Sequence, residues 1–443
     1  MDLAHAGFVQ QVNAHSSRAA WVWRSADSVS DRRLLALLSA FDLRLELGLA
    51  ADQSVSVAAA LREQDGSTTE VFSGTGFRPD DAIRTCLGEF LEFQSWLYRP
   101  GDSTRRCDRS ALDHRTIDPW DLLGFAPAQR EQWRAFNAAY QGCDFIPAPS
   151  AFDGVVDWCA VQALADGSTH WLPAQVCFGR YGERTNCADR RWRSDSNGCA
   201  AGPTRQGALA HALFELVERD ATGIWWYGSV RRPAVPHPDL HDDALGTALA
   251  ARERMGQQVR LLDLTHDLET PVVAAILVDG EGTLLALGFG CHVDRARAAR
   301  SAYREMCQME LSVVFAKRRV ERAGDLASAE DRRLLDWLAR ASRQPHLVPA
   351  EGMLAHGSPD NRDDDDQTVA FISERLRRVG LKGYVVDLER PEIGVPAVRA
   401  FVPGLCHFKP RLGFRRLIEV PRALSWRDTD FGLQDLNELP LLI

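Results

Sequence analysis

Residues 196–220 read SNGCAAGPTRQGALAHALFELVERD. The first part, through Gly202-Pro203-Thr204, is small and turn-forming. The remainder is rich in alanine and leucine at helical spacing, so the stretch reads as a glycine-rich turn running into a helix. Near the end of that helix Glu215 and Glu218 stand three residues apart, with Arg219 beside them. Positions i and i+3 share one face of a helix, and like charges there are destabilising unless solvated or paired. The other positions are apolar enough to be buried, so two carboxylates project together from a packed helix. A cation, or a metal–polyphosphate complex, relieves such a clash.

The pattern recurs. Ser73-Gly74-Thr75-Gly76 opens into DDAIRTCLGEFLEFQSW, where Glu89 and Glu92 are again three apart. Gly76 precedes Glu89 by thirteen residues, and Gly202 precedes Glu215 by thirteen. A looser copy runs from Gly288-Phe289-Gly290 into RARAARSAYREMCQMELSV, where Glu305 and Gln308 keep the spacing of three and Gly290 lies fifteen before Glu305. Copies so unevenly placed are not a solenoid repeat; they describe one device built three times around a common site. Helix N-termini bind anions through free backbone N–H groups, and Mg2+ binds through a few carboxylates plus substrate phosphates. One Glu pair is more often just a solvated face, but equally spaced copies after glycine turns point to a nucleotide–metal site. A di-iron site expects Glu-x-x-His pairs, and no His stands three residues after any of these glutamates.

At these residues the chain resembles the YcaO superfamily, and within it the cyclodehydratases that form azoline rings in ribosomal peptides. Five collinear segments carry the resemblance, from about Val55 to the C-terminus: SGTGFRPDDAIRTCLGEFLE, the run from SNGCAAG to ERDATGIWWYGSVRRP, GFGCHVDRARAARSAYREMCQ, VPGLCHFKPRLGFRRLIEVP and the tail DLNELPLLI. The resemblance implies a mixed α/β fold with helices packed on sheets around a central ATP/Mg2+ site, and it divides the chain into an N-terminal segment, 1–50, and a catalytic domain, 51–443. It implies ATP-dependent activation of a backbone amide oxygen after a neighbouring Cys, Ser or Thr attacks the amide carbon. Glu89, Glu92, Glu215 and Glu218 match the Mg2+ ligands. Arg219 and Arg300 match arginines on the phosphates, and Ser73, Thr85, Asn197, Glu305 and Gln308 fall with them at the nucleotide. Glu218, Arg219 and the terminal carboxylate of Ile443 are the implied catalytic groups. Implied partners are a precursor peptide, an E1-like (ThiF-like) leader-binding protein in trans, for which this length leaves no room, and an FMN-dependent dehydrogenase that oxidises azolines. Departures from the family pattern fall at Thr75, Phe93, Gly207 and the proline-poor tail. Thioamide or amidine formation, or a non-catalytic scaffold role, are the competing readings.

The 443 residues are 45% hydrophobic and 26% charged, the composition of a soluble globular enzyme. A net charge of −9 argues against bulk nucleic-acid binding. The N-terminus has no basic region followed by an apolar core, and no apolar run approaches the ~18–20 residues a bilayer demands; a cytoplasmic protein is expected. Ten cysteines in a chain this long, with no Cys-x-x-Cys pair, suggest neither a disulfide scaffold nor structural zinc.

Residues 1–50 read as two helical stretches, the second being SDRRLLALLSAFDLRLELGLA. Strand pairs are expected about Asp65-Gly66-Ser67 and about Asp166-Gly167, and single strands in VRLLDLTHD and PVVAAILVDG. RPGDSTRRCDRS, from residue 99, reads as a loop, as does GSPDNRDDDDQ, residues 357–367. Chain ends usually fray, so removing Leu439–Ile443 is expected to cost little stability.

Overall fold

The computed structural model describes residues 8–12, 19–23, 41, 43–64, 67–112, 115–140, 143–185, 194–236, 240–351 and 364–442. Within these, β1 (Phe8–Val12) and β2 (Ala19–Trp23) form an antiparallel ribbon. The next three strands, β3 (Leu43–Leu49), β4 (Ser56–Gln64) and β5 (Ser67–Gly76), make an antiparallel sheet against which helix α1 (Pro79–Trp96) packs. A six-stranded sheet is built from β6 (Thr104–Asp108), β7 (Val155–Ala163), β8 (Thr169–Pro173), β9 (Cys199–Ala201), β13 (Tyr384–Asp387) and β14 (Ala397–Phe401). Its order is β6-β7-β13-β14-β9, with β8 also paired to β7. Between these in sequence, β10 (Gln258–Asp263), β11 (Val272–Val278) and β12 (Leu284–Cys291) form a third antiparallel sheet.

Helix α2 (Arg205–Tyr227) is the axis of the molecule. Thr204 caps it by accepting the Gly207 N–H, satisfying one of the free donors of the first turn. It contacts β14 and β9 on one side and β12 and β11 on the other. Because it is enclosed by both sheets, it is apolar nearly all round, down to Trp225 and Trp226 at 1% and 0% exposure. The polar stripe His211, Glu215, Glu218 is spaced to one face and stays only partly covered. Helix α3 (Asp243–Arg254) precedes β10, and the long helix α4 (Arg295–Ala323) lies on β12 and reaches β5. Helices α5 (Ala329–Ala341), α6 (Asp365–Arg378) and α7 (Arg416–Ala423) complete the shell.

Several expectations change. Leu43–Leu49 is a strand, not the end of a helix. Leu43, Leu45 and Leu47 alternate with Arg44, Glu46 and Gly48, and these leucines pack with Phe72, Ile83 and Phe90; that period of two is a strand's, and the leucines upstream hide it. The earlier part of that expected helix, residues 30–40, lies outside the described residues, and the first expected helical stretch instead holds the β1–β2 ribbon. A boundary at 50/51 cuts the β3–β4 hairpin, where Leu49 pairs with Ser56 and the Asp52 side chain is fully buried against Arg252 at 3.3 Å and Tyr303 at 2.6 Å. Thr104–Asp108, read as loop, is a strand paired with β7. Of the acidic run, Asp364 caps α6 through the Gln367 N–H, so a solvated loop does not describe its last residues. Both strand pairs and the two single strands are present as expected.

Candidate active site

Three units converge, and each has the same construction: strand, tight turn, helix, with a glutamate on the helix reaching back to a backbone N–H in the strand or just before it. Glu89 accepts the Ser73 N–H at 3.0 Å, Glu215 the Gly198 N–H at 3.2 Å, and Glu305 the Phe289 N–H at 2.6 Å. The sequence separations are 16, 17 and 16 residues, so the third unit is as regular as the others once the donor rather than the glycine is counted. The glycines of the first and third units, expected in turns, lie in strands β5 and β12, and they explain the close fit. A Cβ on Gly74 would lie 2.1 Å from the Cys86 nitrogen, and one on Gly288 would lie 2.1 Å from the Met306 nitrogen. Helix backbone therefore rests directly on strand backbone, which only glycine permits. Gln308 bridges two units by donating to Ser73 Oγ at 2.6 Å.

The cleft between these units is short of positive charge. Burial, with Glu215 and Glu89 adding, pushes the Glu92 carboxyl well above its usual range. Burial raises Glu218 to about 8; Arg219 opposes this, while Glu305 and Glu215 add to it. Glu89 rises to about 7, mainly through burial and despite the Ser73 N–H. Its side chain is open to solvent, yet it sits in a concavity crowded enough to desolvate the charge, as expected for a cleft floor. Glu215 and Glu305 are also raised by burial against the pull of Arg219. Arg219 pairs with Glu215 at 3.5 Å and Glu218 at 3.1 Å and lies over the Phe408 ring at 4.9 Å. Its Nε is buried without a partner.

The remaining expected residues distribute around this cleft. Ser73 and Gln308 meet through their side chains. Asn197 precedes the Gly198 donor, and its side-chain oxygen is buried with no partner. Thr85 stands one turn before Glu89, exposed, its hydroxyl donated to the Asp81 carbonyl at 2.9 Å. Arg300 is engaged by Asp242. Ile443 lies outside the described residues. The tail before it is firmly docked: Trp226 Nε1 donates to the Leu439 carbonyl at 2.6 Å, Trp337 Nε1 to the Pro440 carbonyl at 2.7 Å, and Leu439 and Leu441 are buried.

Sequence reasoning missed Arg399, Asp195 and Arg304. Arg399 is buried in β14, donates to the Val176 and Cys177 carbonyls, pairs with Asp195 at 3.7 Å and lowers Glu92 in part. Its signal was available: an arginine inside Ala397–Phe401, a strand otherwise wholly apolar.

Residues 73–406 match the family described as YcaO cyclodehydratase, ATP and Mg2+-binding, and the chain belongs to that family. An uncharacterized protein of Methanothermobacter thermautotrophicus is 27% identical over 365 residues, 79% of this chain and 86% of the relative. Among solved structures, a heterocyclase in complex with substrate and cofactor superposes with a TM-score of 0.80 at 25% identity over 92% of this chain. The chain spans 57% of that heterocyclase's length. YcaO from Methanopyrus kandleri, bound with AMPPCP and Mg2+, shares the fold at a TM-score of 0.58 and 20% identity, covering 84% of this chain and 90% of that one. ATP and Mg2+ are the cofactors of the family to which this ATP-dependent enzyme belongs.

The residues present fit that pair. Carboxylate oxygens are the donors a hard divalent cation takes, and surplus negative charge in a partly covered cleft with one shared guanidinium calls for such an ion. The carboxylates are neighbours rather than already convergent: among the described residues no group of three or more acids, histidines or cysteines closes around a point. Arg219, lying between Glu215 and Glu218, occupies part of that space.

Proposed function

We propose that this protein catalyses ATP-dependent cyclodehydration of Cys, Ser or Thr residues in a ribosomally made precursor peptide, giving thiazoline or oxazoline rings. The observation that carries the reading is the acidic cleft built from three strand–turn–helix units. Glu89, Glu92, Glu215 and Glu218 hold Mg2+, and Ser73, Thr85, Asn197, Glu305, Gln308 and an arginine of α4 surround the nucleotide. ATP supplies the phosphoryl group that makes the peptide amide oxygen a leaving group. Arg219 and Glu218 stand where the second and third units meet, so they orient and neutralise charge at the reacting oxygens; preorganised charge is the larger part of catalysis in such transfers. The Leu441 N–H lies 3.5 Å from the Tyr227 hydroxyl, which donates to the Phe408 carbonyl beneath Arg219; a tail docked this far supports a role for the Ile443 carboxylate. The superposed heterocyclase is longer than this chain. An E1-like leader-binding protein in trans, and an FMN-dependent dehydrogenase acting afterwards, belong to the same reading.

The test is mass spectrometry of a Cys-containing precursor incubated with the protein, its leader-binding partner, ATP and Mg2+. Loss of one water per ring, absent without ATP, is the expected result. Exchange of oxygen for sulfur would replace the reading with thioamide formation, and ATP-independent binding without mass change would leave a scaffold.

A further inference from the structure

Helix α4 carries two arginines one turn apart, Arg300 and Arg304. Arg300, the one matched by family resemblance to a phosphate contact, already has an acid. Its Nε and Nη2 lie 2.6 and 2.5 Å from Asp242 Oδ2, its guanidinium sits 5.8 Å over Phe77, and its side chain is 46% exposed. Asp242 is itself fixed as the cap of α3, accepting the Leu245 N–H at 3.0 Å. Releasing Arg300 toward a ligand means breaking that ion pair.

Arg304 is the opposite case. Among the described residues it makes no ion pair. Its Nη1 reaches only the Thr75 carbonyl, at 3.4 Å, and its Nη2 the Ser301 hydroxyl, at 3.1 Å. Its Nε is buried with no hydrogen-bond partner among the described residues. Burial and the nearby Arg300 charge both disfavour its protonated form, with Asp81 a partial offset. A guanidinium stays charged in proteins, so this is a half-buried cation without a counter-anion among the described residues, and a charge drawn out of water without a partner is costly. Its place is telling. Thr75 belongs to the end of β5, whose Ser73 N–H holds Glu89, and one helical turn further on Gln308 donates to the Ser73 hydroxyl. Arg304 thus sits where the end of that strand meets the acidic cleft.

We propose that Arg304, rather than Arg300, is the arginine of α4 that binds the terminal phosphates of the nucleoside triphosphate. The proposal rests on ATP and Mg2+ being the cofactors and is independent of which peptide product forms. It is tested by calorimetric titration of the full chain with Mg·AMPPCP and with Mg·ADP, without peptide. Arg304→Met is expected to weaken Mg·AMPPCP binding about 10- to 100-fold, as for loss of a charge-assisted hydrogen bond, and Mg·ADP binding less. Arg304→Lys should recover part of the loss, and Arg300→Met should stay within about 3-fold of wild type. A second readout separates ligand binding from support of the fold. Without nucleotide, Arg304→Met should melt at or above the wild-type temperature, because it removes an unpaired half-buried charge, and nucleotide should raise its Tm less. A larger loss in Arg300→Met than in Arg304→Met overturns the proposal, as does equal Mg·AMPPCP affinity in Arg304→Met and wild type. An Arg304→Met protein that is unstable without nucleotide, with Arg304→Lys and wild type binding Mg·AMPPCP and Mg·ADP alike, also overturns it. Because azoline formation is not measured, failure here is distinct from failure of the cyclodehydratase reading.

Discussion

Arg219 touches both Glu215 and Glu218, yet all three acids around it, Glu305 included, remain shifted upward. One guanidinium shared among three carboxylates leaves the cleft negative, the condition a divalent cation corrects. Glu218→Gln should therefore lower peptide-dependent ATP hydrolysis by about 10²–10³, the usual effect of removing one preorganised electrostatic group. In the nucleotide-free protein it should leave the melting temperature unchanged or higher, since it relieves repulsion. Steady-state kinetics beside a thermal melt check both halves, and a large drop in Tm would assign Glu218 to the fold instead. The four glutamates were legible because their spacing repeats along the chain. Arg304 and Asp195 were not, since nothing in local sequence distinguishes a half-buried unpaired arginine from a surface one; only the packing of α4 against the Ser73–Gly76 end of β5 does.

At the scale of elements, the strand glycines and the tail set the limits. Gly74→Ala or Gly288→Ala forces a methyl group into helix backbone at 2.1 Å. Neither backbone can yield without lifting its helix, and overpacking of this kind costs about 1–3 kcal/mol or more. Each variant should lower Tm and weaken Mg·AMPPCP binding together, because the same displacement moves Glu89 or Glu305. The tail corrects the expectation of a dispensable end. Deleting Leu439–Ile443 removes two buried leucines and strands the buried Trp226 N–H. At about 1.5–3 kcal/mol per buried leucine and 1–3 kcal/mol for an unsatisfied donor, the truncated protein should melt measurably lower, by calorimetry, before any effect on activity is considered. Frayed ends are a fair prior, but Trp226 and Trp337 present two indole donors that only this segment satisfies. The strand pairs were readable from alternation and turn residues. β3 was obscured by neighbouring leucines, and β6 by its charged residues: Arg105, Arg106 and Asp108 are all exposed, so no apolar face announces it.

Across the whole molecule, α2 carries opposite environments on its two sides. Past the Glu215–Arg219 stripe, Asp220 is fully buried, accepting the Cys406 N–H at 2.7 Å and pairing with Arg416 at 2.6 Å. Asp267 and His266 close this network. Burial alone would raise the Asp267 carboxyl, but hydrogen bonds from His266 and Arg416 outweigh it and hold it at about 2. A depressed carboxyl contributes stability that is fully present above the ordinary range near 4 and is lost as pH falls through its folded value. Asp267→Asn should thus cost about 1.5–3 kcal/mol at pH 7, with the gap in Tm from wild type narrowing between about pH 4 and 2. A gap independent of pH would mean the side chain acts by shape, not charge. Among the described residues no helix is long and apolar enough to cross a membrane.

The three glutamate latches close on main-chain N–H groups, and their donors, Ser73, Gly198 and Phe289, have no side-chain chemistry in common. Every amino acid but proline carries that donor. Evolutionary drift at these three positions is therefore invisible to the latch itself, although packing constrains them for its own reasons. In a saturation library, proline is the substitution that should be rejected at all three sites alike, giving a shared fingerprint by which distant relatives could be aligned where their side chains no longer agree.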